Sequence, residues 1–120
     1  MDERRTGQRF EVWFPVQVEP AESKGGAPRI TVSRDVSARG ILLSAASELT
    51  PGAKVVVTFR ILPDEKNERR VEGRVVRVDP NQEDPHGLWP VRLAVEFDER
   101  LPELERQLKY AETMRKKSYE

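Results

Sequence analysis

The chain contains no cysteine. That excludes disulfides, thiolate metal sites and cysteine nucleophiles, and it fits a reducing compartment. It has one histidine, His86, set in the turn-like run Pro85-His86-Gly87, with no second imidazole or thiolate to complete a metal site. Aromatic residues make up 7% of the chain, and 21 Lys+Arg balance 21 Asp+Glu. A barrel that holds single-stranded nucleic acid stacks bases on spaced aromatics beside a basic groove, and a duplex binder carries a net basic footprint. Nucleic acid is therefore not an expected partner, and Trp13 and Trp89 read as packing residues rather than base-stacking platforms. No apolar run approaches the roughly 18 residues that span a bilayer, and the polar N-terminus lacks the apolar stretch of a signal peptide. The expectation is a cytoplasmic protein that does not insert into membranes.

What is present is order in the apolar residues. A length of 120 residues suits one domain. From Phe10, the residues Val12, Phe14, Val16 and Val18 alternate with polar neighbours, the period of a half-buried strand, although Pro15 makes that strand an edge or interrupts it. Gly25-Gly26 marks a turn over 22–28. Short strands are expected over 29–34 and 40–43, an alternating strand over 54–61, a strand over 71–78 in which Gly73 marks a bulge, and a last strand through Val91, Leu93, Val95 and Phe97. A charged loop over 63–68 and a proline-rich loop over 79–90 separate them. Leu101, Leu104, Leu108 and Ala111 then recur at helical spacing behind Pro102, with Lys and Arg crowding the end. These elements predict a mainly β fold, a small six-stranded antiparallel barrel with a C-terminal α-helix. The parts are a mobile arm over 1–10, a barrel over 11–98 and a helix over 99–120.

Two motifs carry chemistry. Arg5 and Arg9 form an Arg-x-x-x-Arg pair with Arg4 beside it, but the same spacing recurs at Arg70 and Arg74, and 15 of the 21 basic residues are Arg. Alone, the pair reads as a solvated basic segment. Asp35-x-Ser37-x-x-Gly40 is rarer, and alone it reads as a turn in which Asp and Ser bond to local backbone and Gly takes a positive φ or a close approach. No set of carboxylates, hydroxyls and imidazole suggests catalysis, and the chain is not expected to be an enzyme.

Taken together, Glu3-Arg4-Arg5-Thr6-Gly7-Gln8-Arg9-Phe10 and Asp35-Val36-Ser37-Ala38-Arg39-Gly40-Ile41-Leu42-Leu43 resemble the PilZ domain. The resemblance continues in Leu49-Thr50-Pro51-Gly52, Gly73-Arg74-Val75-Val76-Arg77 and Ala94-Val95-Glu96-Phe97, and so covers most of the chain. One departure is Ala94, where the family often has Gly, a difference expected to concern packing more than ligand contact. The resemblance implies a receptor for cyclic di-GMP that needs no cofactor or metal. The alternative is an adaptor of the same fold that binds a partner protein and uses the ligand weakly or not at all, against which the intact Arg5, Arg9, Asp35, Ser37 and Gly40 set argues. For the receptor, the resemblance implies that Arg5 and Arg9 bind phosphate and guanine, that Asp35 reads a guanine edge, that Ser37 and Gly40 build the floor, and that Arg4 reaches a second, stacked ligand molecule. The chemistry agrees: guanidinium forks suit phosphate and guanine O6 and N7, whereas a carboxylate accepts from guanine N–H groups that no Arg can serve. The mobile arm is expected to order over the ligand. The signal then passes to a separate protein partner, to a second copy of the chain in a homodimer, or through the terminal helix.

Overall fold

The computed structural model describes residues 10–21, 28–61 and 68–118, with side chains to residue 113. Residues 1–9 of the expected arm and most of the expected turns at 22–28 and 63–68 lie outside those residues, whereas Phe10, the arm's last residue, is buried and opens the first strand. The alternating segments form β1 (Phe10–Glu11), β2 (Pro15–Pro20), β3 (Arg29–Val36), β4 (Gly40–Ala45), β5 (Lys54–Phe59), β6 (Arg69–Pro80) and β7 (Val91–Phe97), and the periodic tail forms α1 (Pro102–Ser118). Every pairing is antiparallel. The order β3-β2-β5-β6-β7-β4 closes on itself because β4 also pairs with β3. This is the six-stranded barrel expected from the alternation, with the short β1 added at the free length of β3 beside β2.

That extra strand is the consequence of Pro15. The alternation from Phe10 to Val18 is real, but the backbone leaves the ladder after Glu11 and rejoins it at Pro15, the first residue of β2, where a missing N–H is tolerated. Ser33 bridges the gap. Its hydroxyl accepts from the Phe14 N–H at 3.0 Å and donates to the Val12 carbonyl, while its own N–H donates to the Phe14 carbonyl at 2.9 Å. A polar side chain buried in the wall thus makes bonds that a continuous strand would have made backbone to backbone. Nearby, the buried Thr31 hydroxyl donates to the Val16 carbonyl at 2.9 Å.

Inside the barrel, Val16, Val18, Val55, Val57, Val75, Leu43, Leu93 and Val95 are buried, with Phe14 and Phe59 stacked at 5.5 Å between ring centroids. The helix joins the same core. Leu104 and Leu108 are fully buried with Phe10, and the Arg69 guanidinium at the start of β6 donates twice to Gln107 Oε1, at 3.0 and 2.6 Å. β6 runs on to Pro80, so the proline-rich loop begins at Asn81, two residues later than expected. Asn81 is buried and organises that loop: its amide donates to the Trp89 carbonyl at 2.6 Å, and its Oδ1 accepts from the Glu83 N–H at 3.2 Å. No helix is long and apolar enough to cross a membrane among the described residues.

Candidate ligand-binding site

Both of the barrel's register shifts fall on the same outer face. Between Ser33 and Asp35 the β3–β4 register slips at Arg34, and between Val75 and Arg77 the β6–β7 register slips at Val76. A bulge inserts one residue and re-aims its neighbours. Ser33 and Val36 stay inward while Arg34 and Asp35 both lie between them, and Val75 stays inward while Val76 and Arg77 are exposed. Gly73 does not mark this bulge. It sits where β6 and β7 approach closely, and a Cβ there would lie 2.6 Å from the Glu96 carbonyl oxygen.

Between the two bulged strands, β4 and β7 form the floor of an open groove of about 280 Å³. Register places Asp35 opposite Leu42, Leu42 opposite Ala94, and Ala94 opposite Arg77, one row across four strands. Three inter-strand steps span roughly 14 Å. Asp35, Ser37 and Gly40, singled out from the sequence, line this groove together, joined by Arg39, Arg77 and Glu96. Arg4, Arg5 and Arg9 lie outside the described residues. Asp35 belongs to the end of β3 rather than to the bend, so its position is fixed by pairing on both edges, to Glu11 and to Leu42.

The hairpin between β3 and β4 is rigidly held. Ser37 N–H donates to the Gly40 carbonyl at 2.9 Å, and Ser37 Oγ accepts from the Arg39 N–H at 3.2 Å, leaving the hydroxyl proton to donate elsewhere. Ala38 is fully buried, and its carbonyl accepts from the Leu101 N–H at 2.7 Å, while the Arg39 carbonyl accepts from the Phe97 N–H at 2.8 Å. Gly40 has no positive φ; among the described residues only Gly52 does. What Gly40 provides is closeness, since a Cβ there would meet the Val95 carbonyl oxygen at 2.4 Å.

The Asp35 carboxylate makes no hydrogen bond or ion pair with a described residue, and the Arg77 guanidinium is held by Asp79 at 2.6 Å. The groove therefore offers a free acceptor on one wall and cations at Arg39 and Arg77, with no cluster of metal-ligating side chains among the described residues. Such a surface can bind an anion bearing hydrogen-bond donors. The sequence reading missed Arg39, Arg77 and Glu96. Ala94 is among the residues that line the groove, and the sequence reading took Trp13 as a packing residue, whereas Trp13 is 65% exposed with the Arg34 guanidinium 5.2 Å from its ring centroid. A signal for Arg77 was present. The inward series Gly73, Val75, Val78 breaks period two, and the same slip occurs at Thr31, Ser33, Val36.

The PilZ domain family model matches residues 3–111. No curated protein matches the chain. Among solved structures, the chain is similar to the Bacillus subtilis inhibitor of motility MotI/DgrA, with a TM-score of 0.67 and 23% identity over 94% of this chain and 52% of that one. The chain thus spans about half the length of that protein. It is also similar to the PilZ domain of YcgR from Escherichia coli with c-di-GMP, with a TM-score of 0.65 and 14% identity over 97% and 95% of the two chains. The K. pneumonia MrkH–c-di-GMP complex gives a TM-score of 0.63 at 17% identity, covering 98% of this chain and 56% of that one.

Proposed function

The chain belongs to the PilZ domain family, and from that premise we propose that it is a cyclic di-GMP receptor that binds the second messenger without transforming it. The observation that carries the reading is the groove itself, which gathers Asp35, Ser37 and Gly40 on a clamped hairpin opposite Arg77. Asp35 accepts from guanine N–H groups. Ser37 and the close-packed Gly40 backbone form the floor, and Arg39 and Arg77 face the phosphates or stack on a base. Arg5 and Arg9 complete the grip from the segment preceding β1, which joins the barrel where Phe10 pairs with Val36 and Glu11 with Asp35. Arg4 contacts a second, stacked ligand molecule. Signalling follows from the arm: ligand phosphates neutralise Arg4, Arg5 and Arg9 and order the segment over the groove, creating a surface for a partner protein or a second copy of the chain.

Titration calorimetry with cyclic di-GMP, beside a single-stranded oligonucleotide at physiological salt, tests the binding. Saturable heat with the cyclic dinucleotide and none with the oligonucleotide is the expected result. A tighter oligonucleotide complex that weakens steeply with salt overturns it. Hydrogen exchange tests the switch. Protection rises at residues 4–10 on adding ligand and stays level at 55–59, and an arm equally protected in both states removes the ordering mechanism.

A further inference from the structure

The outer row next to the groove carries two arginines that the motif does not include. On β7, Arg92 lies two residues from Ala94 on the same face, opposite Ser44 on one side and Asp79 on the other. On β3, Arg34 is the bulged residue beside Asp35. Both converge on one carboxylate oxygen of the 81–90 loop: Glu83 Oε1 accepts from Arg92 Nη2 at 2.9 Å and from Arg34 Nη1. The exposures are unequal. The Arg34 and Arg92 side chains are 25% and 27% exposed, whereas that of Glu83 is 60% exposed.

Two partly buried arginine side chains are therefore neutralised by a carboxylate reaching in from solvent. Arg34 is further fixed by Trp13 beneath it, and Arg92 Nε is buried and bonds to no described residue. Asp79, the other carboxylate of the row, is engaged by Arg77. The Glu83 backbone is held independently through Asn81, so its side chain can swing away by rotation without unfolding the loop. A pair whose carboxylate partner stands in solvent is open to exchange with another anion.

We infer that Arg34 and Arg92 form a phosphate-binding station continuous with the groove, and that Glu83 is a built-in competitor occupying it until an anionic group of the ligand displaces it. Two guanidinium forks meeting at one oxygen match a phosphate oxygen as well as a carboxylate one. The station gives the ligand a further cationic contact beyond Arg5, Arg9, Arg39 and Arg77, and Glu83 sets the affinity by the charge it withholds. The inference rests on the cyclic di-GMP reading above.

The test uses the full chain and Glu83→Gln, which keeps the shape and removes the charge. Titration calorimetry is expected to show cyclic di-GMP affinity rising roughly threefold to tenfold in Glu83→Gln, with the gain abolished in Glu83→Gln/Arg92→Ala. An unchanged or lower affinity in Glu83→Gln overturns the competitor role. Inorganic phosphate probes the station separately, read by the Nε–H resonances of Arg34 and Arg92. In Glu83→Gln these shift saturably with phosphate, and in the parent they shift less. If they do not move in Glu83→Gln, the station is wrong whatever cyclic di-GMP does. If they move while neither protein binds cyclic di-GMP, the station stands and the receptor reading falls.

Discussion

On the β3 wall of the groove the bulged residue Arg34 sets two charged side chains outward, whereas on the β6 wall the bulged Val76 sets one apolar and one cationic side chain outward. The backbone device is the same, but the support differs. Asp35 stands on a strand paired along both edges and next to a hairpin tip bonded to Leu101 and Phe97. Arg77 is aimed only by its strand and by an exposed pair with Asp79. A fixed carboxylate suits the reading of one base edge, where a small displacement removes the bond. A long cation on an adjustable tether suits phosphate, whose oxygens accept from many directions. In the receptor proposed above, the difference between the walls divides selectivity from adhesion.

The strongest way to break that comparison is to pry β7 from its neighbour on each side, β4 towards the β3 wall and β6 at the other. Gly40→Val on β4 and Gly73→Val on β6 each drive a side chain into the β7 backbone, at the Val95 and Glu96 carbonyls. Each should cost about 3 kcal/mol of stability, read from urea denaturation midpoints. Equal losses would show that both walls depend on the same close approach to β7. A tolerant Gly73 beside an intolerant Gly40 would make the β3 side the only rigid one.

A smaller effect sharpens the division of labour. Asp35→Ala should weaken cyclic di-GMP by about 1–3 kcal/mol while weakening cyclic di-AMP less, because the lost acceptor serves guanine donors. Calorimetry with both nucleotides decides, and equal losses would remove Asp35 as a reader of guanine. Arg77→Ala should cost about 0.5–1.5 kcal/mol for either nucleotide, and Arg77→Lys should recover part of it. A nucleotide-selective loss at Arg77 would put base reading on both walls.

The smallest effect is in pH. Arg34, by hydrogen bond and charge, and then Arg92 hold the Glu83 carboxyl below its ordinary value of 4.5. A carboxyl lowered in the folded state contributes stability that is fully present above that ordinary value and is lost as pH falls through the lowered one. The difference in urea midpoint between the parent and Glu83→Gln should therefore be level from neutral pH down to the ordinary carboxylate value and vanish in stronger acid. A difference that persists there would mean that Glu83 acts through packing.

The barrel was legible because its core obeys period two: Val16, Val18, Val55, Val57, Leu93 and Val95 were all readable as inward. The helix was legible in the spacing of Leu104 and Leu108. The split of the first strand was only half visible, since Pro15 announced a break but nothing local identified Ser33, eighteen residues on, as the group that bridges it. Of the groove, the β3–β4 side was readable because its chemistry is contiguous in sequence. The β6–β7 side was not, because Arg77, Ala94 and Glu96 become neighbours of Asp35 only when the sheet closes, and the broken alternation at Val75-Val76 was passed over in favour of Gly73. Trp13 was misassigned because aromatic character suggested burial, while its neighbour Pro15 had already taken that stretch out of the ladder.

The bond from Leu101 N–H to the Ala38 carbonyl has a consequence for how the molecule can be cut. Ala38 lies inside the Asp35–Gly40 motif, Leu101 immediately precedes the helix, and Phe10, at the entry of the N-terminal segment, shares the core with Leu104 and Leu108. Helix residues that need not touch a nucleotide thus brace both segments proposed to hold one. A fragment ending at the last barrel strand would keep the ligand motif in its sequence and lose the abutment beneath it. For the same reason a fusion or label is better attached beyond the helix than between Phe97 and Pro102, where it would loosen the motif from below.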